Sequence, residues 1–501
     1  MKMKLPPSTQ NWISLAGALI ALSTFFMILF LVIISILMET GNAYLGIIIY
    51  MILPAILFLG LLLIPLGMYL KIKKEKRELK TSEKGYPIIN LNEKAQRNAL
   101  SIFVISSAIF VLASAVGSYE AFHYTESVEF CGTVCHTVMK PEYTAYQNSS
   151  HARVSCVKCH VGEGAGWYAK SKLSGLYQVY AVTAGVYPTP IPTPIKNLRP
   201  ARETCEQCHW PQKFYERKIK SSKYYLTDDT NSEWDLILSI KIGPSLSAHG
   251  LSEGIHWHIN SDVKIEYKAL DEKREKIPWV RYTNIKTGEV KVFEDSIEPI
   301  DKKVLDGLEI RTVDCMDCHN RPSHDYKDPR AFMNQAISAG LIPTDLPRIK
   351  SVALDLLNDN YSSTDEAMKS ISDGLTKYYK LYYKEVYESK QNEIQKAIKN
   401  IQAEFNKNIF PEMKVKWNEY PNNIGHLIFN GCFRCHNDTH ITKQKETISK
   451  NCDVCHSINL QGKPENLQLA GITKSLEFVH PGEDVTDEWK TMLCTECHSK
   501  L

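Results

Sequence analysis

Three long apolar stretches open the chain, and only after them does the pattern become that of a water-soluble protein. Each is long enough to cross a hydrocarbon core of about 30 Å as a helix that rises about 1.5 Å per residue. The first carries no charge and lacks a small-residue cleavage site, so we expect a retained anchor rather than a signal peptide. The pattern predicts a membrane domain over residues 1–120 with three transmembrane helices, at about 12–38, 44–70 and 99–119.

Charge in the loops predicts the orientation of these helices. Residues 71–97 hold nine Lys or Arg, whereas the turn at 39–41 holds none. By the positive-inside rule the N-terminus and the 71–97 loop are cytoplasmic, so the third helix leads outward. We therefore expect a multi-pass protein of the cytoplasmic (inner) membrane, with everything after about residue 118 on the periplasmic side.

The remaining sequence changes its pattern from region to region. Residues 277–294 alternate as a β-hairpin would, with a turn at Thr287-Gly288. A capping box at Ser363–Glu366 precedes a stretch with helical apolar spacing. We predict a mainly α protein: the three transmembrane helices, then an extracytoplasmic domain with little regular structure, a small β-rich insert and a helical segment. The predicted regions after the membrane domain are 121–325 with the insert at about 211–314, a helical connector at 326–415, and a C-terminal region at 416–501.

The arrangement of the cysteines indicates the chemistry of this protein. The chain has fourteen cysteines, and every one belongs to a pair that is followed at once by a histidine. Six pairs have the spacing Cys-x-x-Cys-His, and the first in the chain has one residue more between its cysteines. In chain order, and numbered one to seven below, the motifs are Cys131/Cys135/His136, Cys156/Cys159/His160, Cys205/Cys208/His209, Cys315/Cys318/His319, Cys432/Cys435/His436, Cys452/Cys455/His456 and Cys494/Cys497/His498.

This spacing is typical of covalent haem attachment. The two thiols form thioethers to one porphyrin, and the adjacent histidine becomes the proximal iron ligand. Zinc ribbons also use paired cysteines, but a histidine in each of seven motifs, all on the predicted outer side, favours haem over zinc. The sequence predicts seven c-type haems. The net charge of +3 gives no sign of the concentrated basic face that nucleic acid would need.

Nine histidines lie outside the motifs and are candidates for the sixth iron position. Of His249, His256 and His258 we expect one to bind iron and choose His258. A histidine on each side closes the iron to substrate and suits electron transfer, whereas an open side suits catalysis. The predicted sixth ligands are His151, His258, His324, His426, His440 and His480.

From Gly117 to about residue 325 the sequence resembles the membrane-anchored quinol dehydrogenases of the NapC/NirT/NrfH family. The resemblance is carried by Phe130-Cys131, Cys135-His136 with Met139, and Ser150-His151 ahead of the second motif; it continues from Cys318 to His324. Seven motifs with this head and a distinct C-terminal part are similar to heptahaem inner-membrane cytochromes of metal-reducing bacteria.

The resemblance implies that menaquinol from the membrane quinone pool is oxidised at the first haem. Electrons would pass to periplasmic c-type cytochromes or a periplasmic reductase in anaerobic respiration. In the family a methionine after the first motif can bind the iron, so either His136 or Met139 is the expected ligand here. The extra residue between Cys131 and Cys135 leaves that choice open.

The family also has a lysine after the second motif at its quinol pocket, a role that Lys170 or Lys172 would fill. The acidic partner is absent between residues 164 and 202, and Glu126, Glu129 or Glu163 would substitute for it. From the residues alone, His123 at the exit of the third helix is a candidate proton acceptor for quinol oxidation.

Two other functions compete with a quinol dehydrogenase. A terminal reductase, for example of nitrogen oxyanions, needs a haem with an open axial position. An electron-transfer docking subunit needs a stable reductase partner. The sequence does not indicate an oligomeric state.

Overall fold

The computed structural model describes residues 7–37, 48–78, 91–162, 164–195, 199–244, 253–471, 474–482, 485 and 487–498. It divides the chain into two compact units, Met1–His136 and Thr137–Leu501.

Long apolar helices form most of the first unit. A short π-helical turn at Ile48–Ile52 precedes the second of them. All three contain a segment long and apolar enough to span a membrane, which confirms the predicted transmembrane helices. Residues 38 and 44–47 of the predicted spans lie outside the described residues. The helices are α1 (Trp12–Leu37), α2 (Leu53–Glu78) and α3 (Lys94–Thr125).

Glycines allow α1 and α2 to pack closely. A Cβ atom on Gly17 would lie 2.7 Å from the carbonyl oxygen of Gly60, and one on Gly60 would lie 2.8 Å from the backbone nitrogen of Ala21. The Ser14 hydroxyl donates a hydrogen bond of 2.8 Å to the Ile64 carbonyl across the same contact. Small residues and a polar contact are the usual means by which helices associate in lipid.

Short helices and loops dominate the motif-bearing parts of the chain, as predicted. The first motif begins on α4, and the others lie on or beside single helical turns. These helices are α4 (Val128–Thr133), α5 (His136–Gln147), α6 (Cys156–His160), α7 (Ala165–Ala184), α8 (Ala201–Cys205), α9 (Lys302–Gly307) and α10 (Cys315–Cys318), with α16 (Glu488–Thr491) and α17 (Cys494–His498) near the C-terminus.

Two antiparallel sheets confirm that the later region contains β structure. The predicted hairpin is present as β4 and β5, and Gly288 in its turn has a φ of 75°. One sheet has the order β1-β2-β8-β9 and the other β6-β3-β4-β5-β7, so strands near the C-terminus complete both. The strands are β1 (Arg217–Tyr225), β2 (Glu233–Lys241), β3 (Val263–Lys268), β4 (Trp279–Asn284), β5 (Val290–Asp295), β6 (Arg311–Thr312), β7 (His440–Ile441), β8 (His456–Lys463) and β9 (Asn466–Leu469).

A cysteine-free helical bundle holds the best-packed apolar core. Phe332, Leu346, Ile371 and Phe405 are fully buried in it, and Tyr379 joins them while its hydroxyl donates to the Pro347 carbonyl at 2.9 Å. Ser363 caps the central helix by accepting from the Glu366 backbone nitrogen, as the capping pattern predicted. The bundle comprises α11 (Pro329–Ser338), α12 (Ile349–Asn358), α13 (Thr364–Tyr382), α14 (Lys384–Ser389) and α15 (Gln391–Asn408).

Candidate haem centres

Six of the seven motif histidines face a second histidine at a nearly constant distance. The ring centroids of the pairs are between 5.8 and 6.4 Å apart. In motif order the pairs are His160 with His324, His209 with His151, His319 with His256, His436 with His258, His456 with His426, and His498 with His480.

This distance fits two imidazoles on one metal ion. An imidazole nitrogen binds a metal at about 2 Å, and the ring centroid lies about 1 Å farther away. Two such ligands on opposite sides of an iron therefore have centroids about 6 Å apart, which matches all six pairs. The donor sets suit bis-histidine haem, with the adjacent cysteine pair available for attachment.

The space beside the pairs is large enough for several porphyrins. One connected cavity of about 3100 Å³ is lined by cysteines of motifs three to seven and by five of the histidine pairs. A pocket for a single small ligand measures about 300–1,000 Å³. Apolar side chains from β2, among them Leu236, Leu238 and Ile240, form part of its wall. The cavity is therefore suited to a row of large, flat, mostly apolar groups.

Among the cysteines of motifs three to seven, Cys208 and Cys497 disagree with this enclosed picture. Both are exposed, and among the described residues neither belongs to the lining of the cavity. Their motif partners Cys205 and Cys494 are partly buried and do line it. The structure therefore supports only one thiol each of motifs three and seven as an enclosed cofactor contact. A thioether at the edge of a porphyrin does not require burial, so attachment at Cys208 and Cys497 stays a prediction.

Motifs two to seven follow one another in space in their order along the chain. Interaction between the nearby thiols of motifs three and four lowers the pKa of Cys205 and raises the pKa of Cys315. Burial, and then the nearby Cys432 of motif five, raises the pKa of Cys318 to about 12. Nearby thiols also contribute to raised pKa values between the other neighbouring motifs. Cys205 of motif three acts on Cys159 of motif two, Cys432 of motif five on Cys455 of motif six, and Cys452 of motif six on Cys494 of motif seven.

Motif four shows how the fold fixes a cysteine pair. Asp314 and Asp317 form a reciprocal capping box around the single turn that carries Cys315 and Cys318. The buried Asp317 also accepts hydrogen bonds from the Tyr267 hydroxyl on β3 at 2.6 Å and from Arg311 Nε on β6 at 2.7 Å. The sheet therefore holds this turn in place through a carboxylate.

Burial favours the neutral form of several of the paired histidines. Burial, and then the nearby His456, lowers the pKa of His426 to about 4, and burial also lowers the pKa of His160 and His319. A neutral imidazole is the ligand form. Backbone carbonyls accept from the Nδ1 of several rings, as Ser449 does from His436 at 2.9 Å, and so leave Nε2 for the iron.

One turn of the insert places a histidine opposite each of two successive motifs. The 3₁₀ turn Ile255–Ile259 places His256 opposite His319 of motif four and His258 opposite His436 of motif five. Trp257 between them stacks on Tyr282 of β4 with ring centroids 5.7 Å apart. The sequence analysis expected one ligand among His249, His256 and His258 and chose His258, whereas the structure places both His256 and His258 opposite motif histidines, and His249 lies outside the described residues. The His-x-His spacing within a turn was the signal for two.

The other predicted sixth ligands are placed opposite motif histidines, and several pair with a motif other than the neighbouring one. His151, just ahead of motif two, faces the histidine of motif three, while His324, just after motif four, faces that of motif two. His426 precedes motif five but faces motif six. His480 faces His498 of motif seven, which follows it.

His440 has surroundings that do not suit a ligand, and the expectation for it is corrected. The residue is 1% exposed on β7. Its Nε2 donates to the Ile277 carbonyl at 2.7 Å, and its Nδ1 lies 2.9 Å from Asn437 Oδ1. Both ring nitrogens are thus engaged by protein groups, and the residue acts as a buried link between strands.

The first motif is described in part. Ser127 caps α4 by accepting from the Phe130 backbone nitrogen, one residue before Cys131. The His136 side chain lies outside the described residues, and Met139 is partly buried on α5. The choice between these two ligands stays a prediction. His123, exposed near the end of α3, packs against the Tyr119 ring with centroids 4.4 Å apart.

The two candidate lysines lie on different faces of α7. Lys170 is exposed, with Nζ 5.0 Å from the Trp167 ring centroid, whereas Lys172 Nζ lies 4.9 Å from that of Tyr168. Residues two apart on a helix are separated by about 200° around its axis, so the two do not serve one small pocket together. Glu163, one of the possible acidic partners, lies outside the described residues. The same helix exposes large apolar side chains at Leu173, Leu176, Tyr177 and Tyr180.

Comparisons with known proteins agree with these centres. The model of the NapC/NirT cytochrome c family, N-terminal region, matches residues 93–191. The chain is 41% identical over 489 residues to the cytochrome c-type protein ImcH of Geobacter sulfurreducens, covering 97% of this chain and 95% of the relative. It is 33% identical over 115 residues to the cytochrome c-type protein NrfH of Wolinella succinogenes, covering 22% of this chain and 63% of the relative. No solved structure gives a significant match.

Proposed function

Because the chain belongs to the NapC/NirT cytochrome c family and is a membrane protein with covalent haem, we propose that it oxidises menaquinol and relays the electrons outward. The proposed acceptors are periplasmic electron carriers or reductases of anaerobic respiration. The observation that carries the relay is the ordered row of histidine pairs. Haem, when bound between such pairs, supplies one-electron transfer at the iron.

We propose seven haems, one for each cysteine pair. In the six centres with described histidine pairs, the protein offers two thiols and two imidazoles to each group. None of the fourteen cysteines, all of which the structure describes, forms a disulfide, so all are available for attachment. The first haem would bind Cys131 and Cys135, with His136 or Met139 on its iron.

The six pairs favour a relay over a terminal reductase. A reductase of nitrogen oxyanions needs an iron with a side open to substrate, whereas two histidines close both sides. The first motif is therefore where substrate chemistry belongs in this proposal, and quinol is its substrate. That motif follows directly from α3, the third helix able to span a membrane.

The surface of α7 suits a lipid-soluble donor. Exposed apolar patches on a protein mark membrane or ligand contacts, and α7 presents Leu173, Leu176 and Tyr177 together with a lysine. A lysine ammonium can orient a quinol oxygen by hydrogen bonding, and release of two protons needs an acceptor with a matched pKa. We propose Lys170 or Lys172 for the first role and His123 for the second.

The proposed location is the cytoplasmic (inner) membrane, with the second unit on the periplasmic side. Loop charge supports this orientation, since the nine basic residues between 71 and 97 precede α3. Attachment of c-type haem on the outer side is consistent with it.

Stopped-flow spectroscopy of the detergent-purified protein mixed with a reduced menaquinone analogue tests the donor. We expect rapid reduction of the haem α-band. Lys170→Gln and Lys172→Gln form a matched pair on opposite faces of α7, so one should slow the reaction at least tenfold and the other should not. Dithionite should reduce every variant fully. If quinol fails to reduce haems that dithionite reduces, the donor is a different one. Co-purification of a reductase in a fixed ratio would then favour the docking subunit.

A further inference from the structure

The carboxylate of Glu142 on α5 contacts one of the histidine pairs directly. Its Oε2 lies 3.0 Å from Nδ1 of His324, the partner of His160. The backbone carbonyl of Glu142 also lies 3.1 Å from that nitrogen. The Nδ1–H of His324 therefore points at two oxygens of one residue, which leaves Nε2 as the nitrogen available to iron.

Neutral oxygens take the corresponding place at other centres. Among the described hydrogen bonds, the Nδ1 of His151, His256, His258 and His436 each meet a backbone carbonyl, at distances between 2.9 and 3.1 Å. These four belong to the centres of motifs three, four and five. The centre of motif two differs from them because a carboxylate shares the proton of its ligand.

A guanidinium, that of Arg321, lies near the same carboxylate. Arg321 lies over the rings of Tyr326 and Tyr420, at 5.1 and 4.4 Å from their centroids. Its buried Nε and Nη2 have no hydrogen-bond partner in the described part of the chain, so Arg321 does not neutralise Glu142 by a direct bond.

A carboxylate that accepts a hydrogen bond from the non-coordinating nitrogen of an imidazole ligand makes that ligand more basic. Greater basicity and a nearby negative charge both stabilise the ferric state, which carries one more positive charge than the ferrous state. Hydrogen bonding and charge around the iron are among the means by which a protein sets a reduction potential.

We propose that Glu142, acting through His324 as a positioning residue, holds the reduction potential of the motif-two haem below the potentials of the haems at motifs three to five. This rests on the haem ligation proposed above. Motif two stands next to the quinol-side motif in chain order. A low potential there opposes the return of electrons from the outer motifs toward the quinone pool.

The test is a spectroelectrochemical titration of the full-length protein, with the low-spin components resolved by EPR. In Glu142→Gln the reduction potential of one component should rise by at least 59 mV, which is a tenfold change in its one-electron reduction equilibrium constant. Glu142→Asp keeps the carboxylate and should recover most of the wild-type value. Asp325→Asn is the matched control, since Asp325 adjoins His324 in sequence but its carboxylate accepts from Asn422 Nδ2 at 2.8 Å.

The proposal fails if Glu142→Gln shifts no component tenfold, or if Asp325→Asn causes an equal shift. Should Glu142→Gln lose haem, the wild-type EPR spectrum decides: one low-spin component must show the reduced g anisotropy of an imidazole with imidazolate character, and its absence overturns the role of Glu142. The titration uses an electrode, so it does not depend on quinol being the donor. Absence of bis-histidine signals from the wild-type EPR spectrum would instead overturn the proposed haem ligation itself.

Discussion

The assignment of His258 and His440 to different roles gives a countable prediction. His258→Ala removes one side of the pair with His436, whose ring centroids are 5.8 Å apart. In the proposed ligation, the motif-five haem would then be held by His436 alone and would leave a site for CO. His440→Ala leaves every described pair intact, because both ring nitrogens of His440 are engaged by Ile277 and Asn437.

The expected number of CO molecules bound per protein follows from the proposal of one haem for each histidine pair. Relative to wild type, His258→Ala should bind one additional CO per protein after dithionite reduction, and so should His256→Ala. The double variant should bind two. His440→Ala should bind no additional CO and should instead lose stability by about 1–3 kcal/mol, since the buried Ile277 carbonyl loses its donor.

CO titration followed in the Soret band measures the stoichiometry directly, with the wild-type protein giving the baseline that includes the first motif. EPR of the oxidised variants provides a second count through the appearance of a high-spin signal. An additional CO site in His440→Ala, or none in both His256→Ala and His258→Ala, would refute the assignment of these ligands.

Two further predictions concern stability. Gly60→Leu should force α1 and α2 apart, because even a Cβ atom there would lie 2.8 Å from the Ala21 backbone nitrogen. The thermal midpoint of unfolding in detergent should therefore fall. Gly117→Leu on α3 is the control and should leave the midpoint unchanged, because a Cβ atom there meets nothing within 4 Å. Phe405→Ala should destabilise the helical bundle by about 3–5 kcal/mol in urea unfolding followed by circular dichroism, with the haem spectrum retained, whereas the exposed Tyr382 should tolerate alanine; equal losses in both variants would contradict the burial argument.

Local features of this fold are readable from sequence because their causes are local. The apolar stretches predict the membrane helices since each must satisfy its own backbone in lipid. The β4–β5 hairpin follows from alternation and from a turn containing Gly288. Cysteine spacing predicts each attachment site because one porphyrin fixes the distance between two thiols. It does not predict how deeply each thiol is buried, since Cys208 and Cys497 are exposed while their motif partners are partly enclosed.

Pairings between distant segments are not readable in this way. β2 pairs with β8, and β5 with β7, although each partner strand lies far along the chain. The distal histidines follow the same rule. Nearness in sequence suggested that His440 would serve a motif close to it, but its ring contacts Asn437 and the Ile277 carbonyl. His256 in the insert instead lies opposite the motif-four histidine.

Several histidine pairs connect segments that are distant along the chain, and this affects how the unit Thr137–Leu501 is held together. Each centre joins segments that the backbone alone would leave apart, as when His324 beside motif four reaches His160 in motif two. In the proposed ligation, iron binding would also close these loops, and its free energy would become part of the free energy of folding.

The helical bundle supplies the complementary kind of support, an apolar core that needs no haem. It reaches the last motif through Arg330 on α11, whose Nη1 donates to the His498 carbonyl at 2.7 Å. The buried Asp328 fixes that guanidinium with hydrogen bonds of 2.8 Å from Nε and Nη2. The backbone of the motif-seven histidine itself is thus tied to a well-packed core rather than to another loop. The row of centres is accordingly fixed at motif four by the sheet through Asp317 and at motif seven by the bundle. The other sheet supports motif six between them, because His456 begins β8 beside β2 and the Cys455 carbonyl accepts from the Lys241 backbone nitrogen at 2.8 Å. Motif five is tied to its surroundings by Arg434, which donates to the Arg274 and Asp317 carbonyls at 2.8 and 2.7 Å.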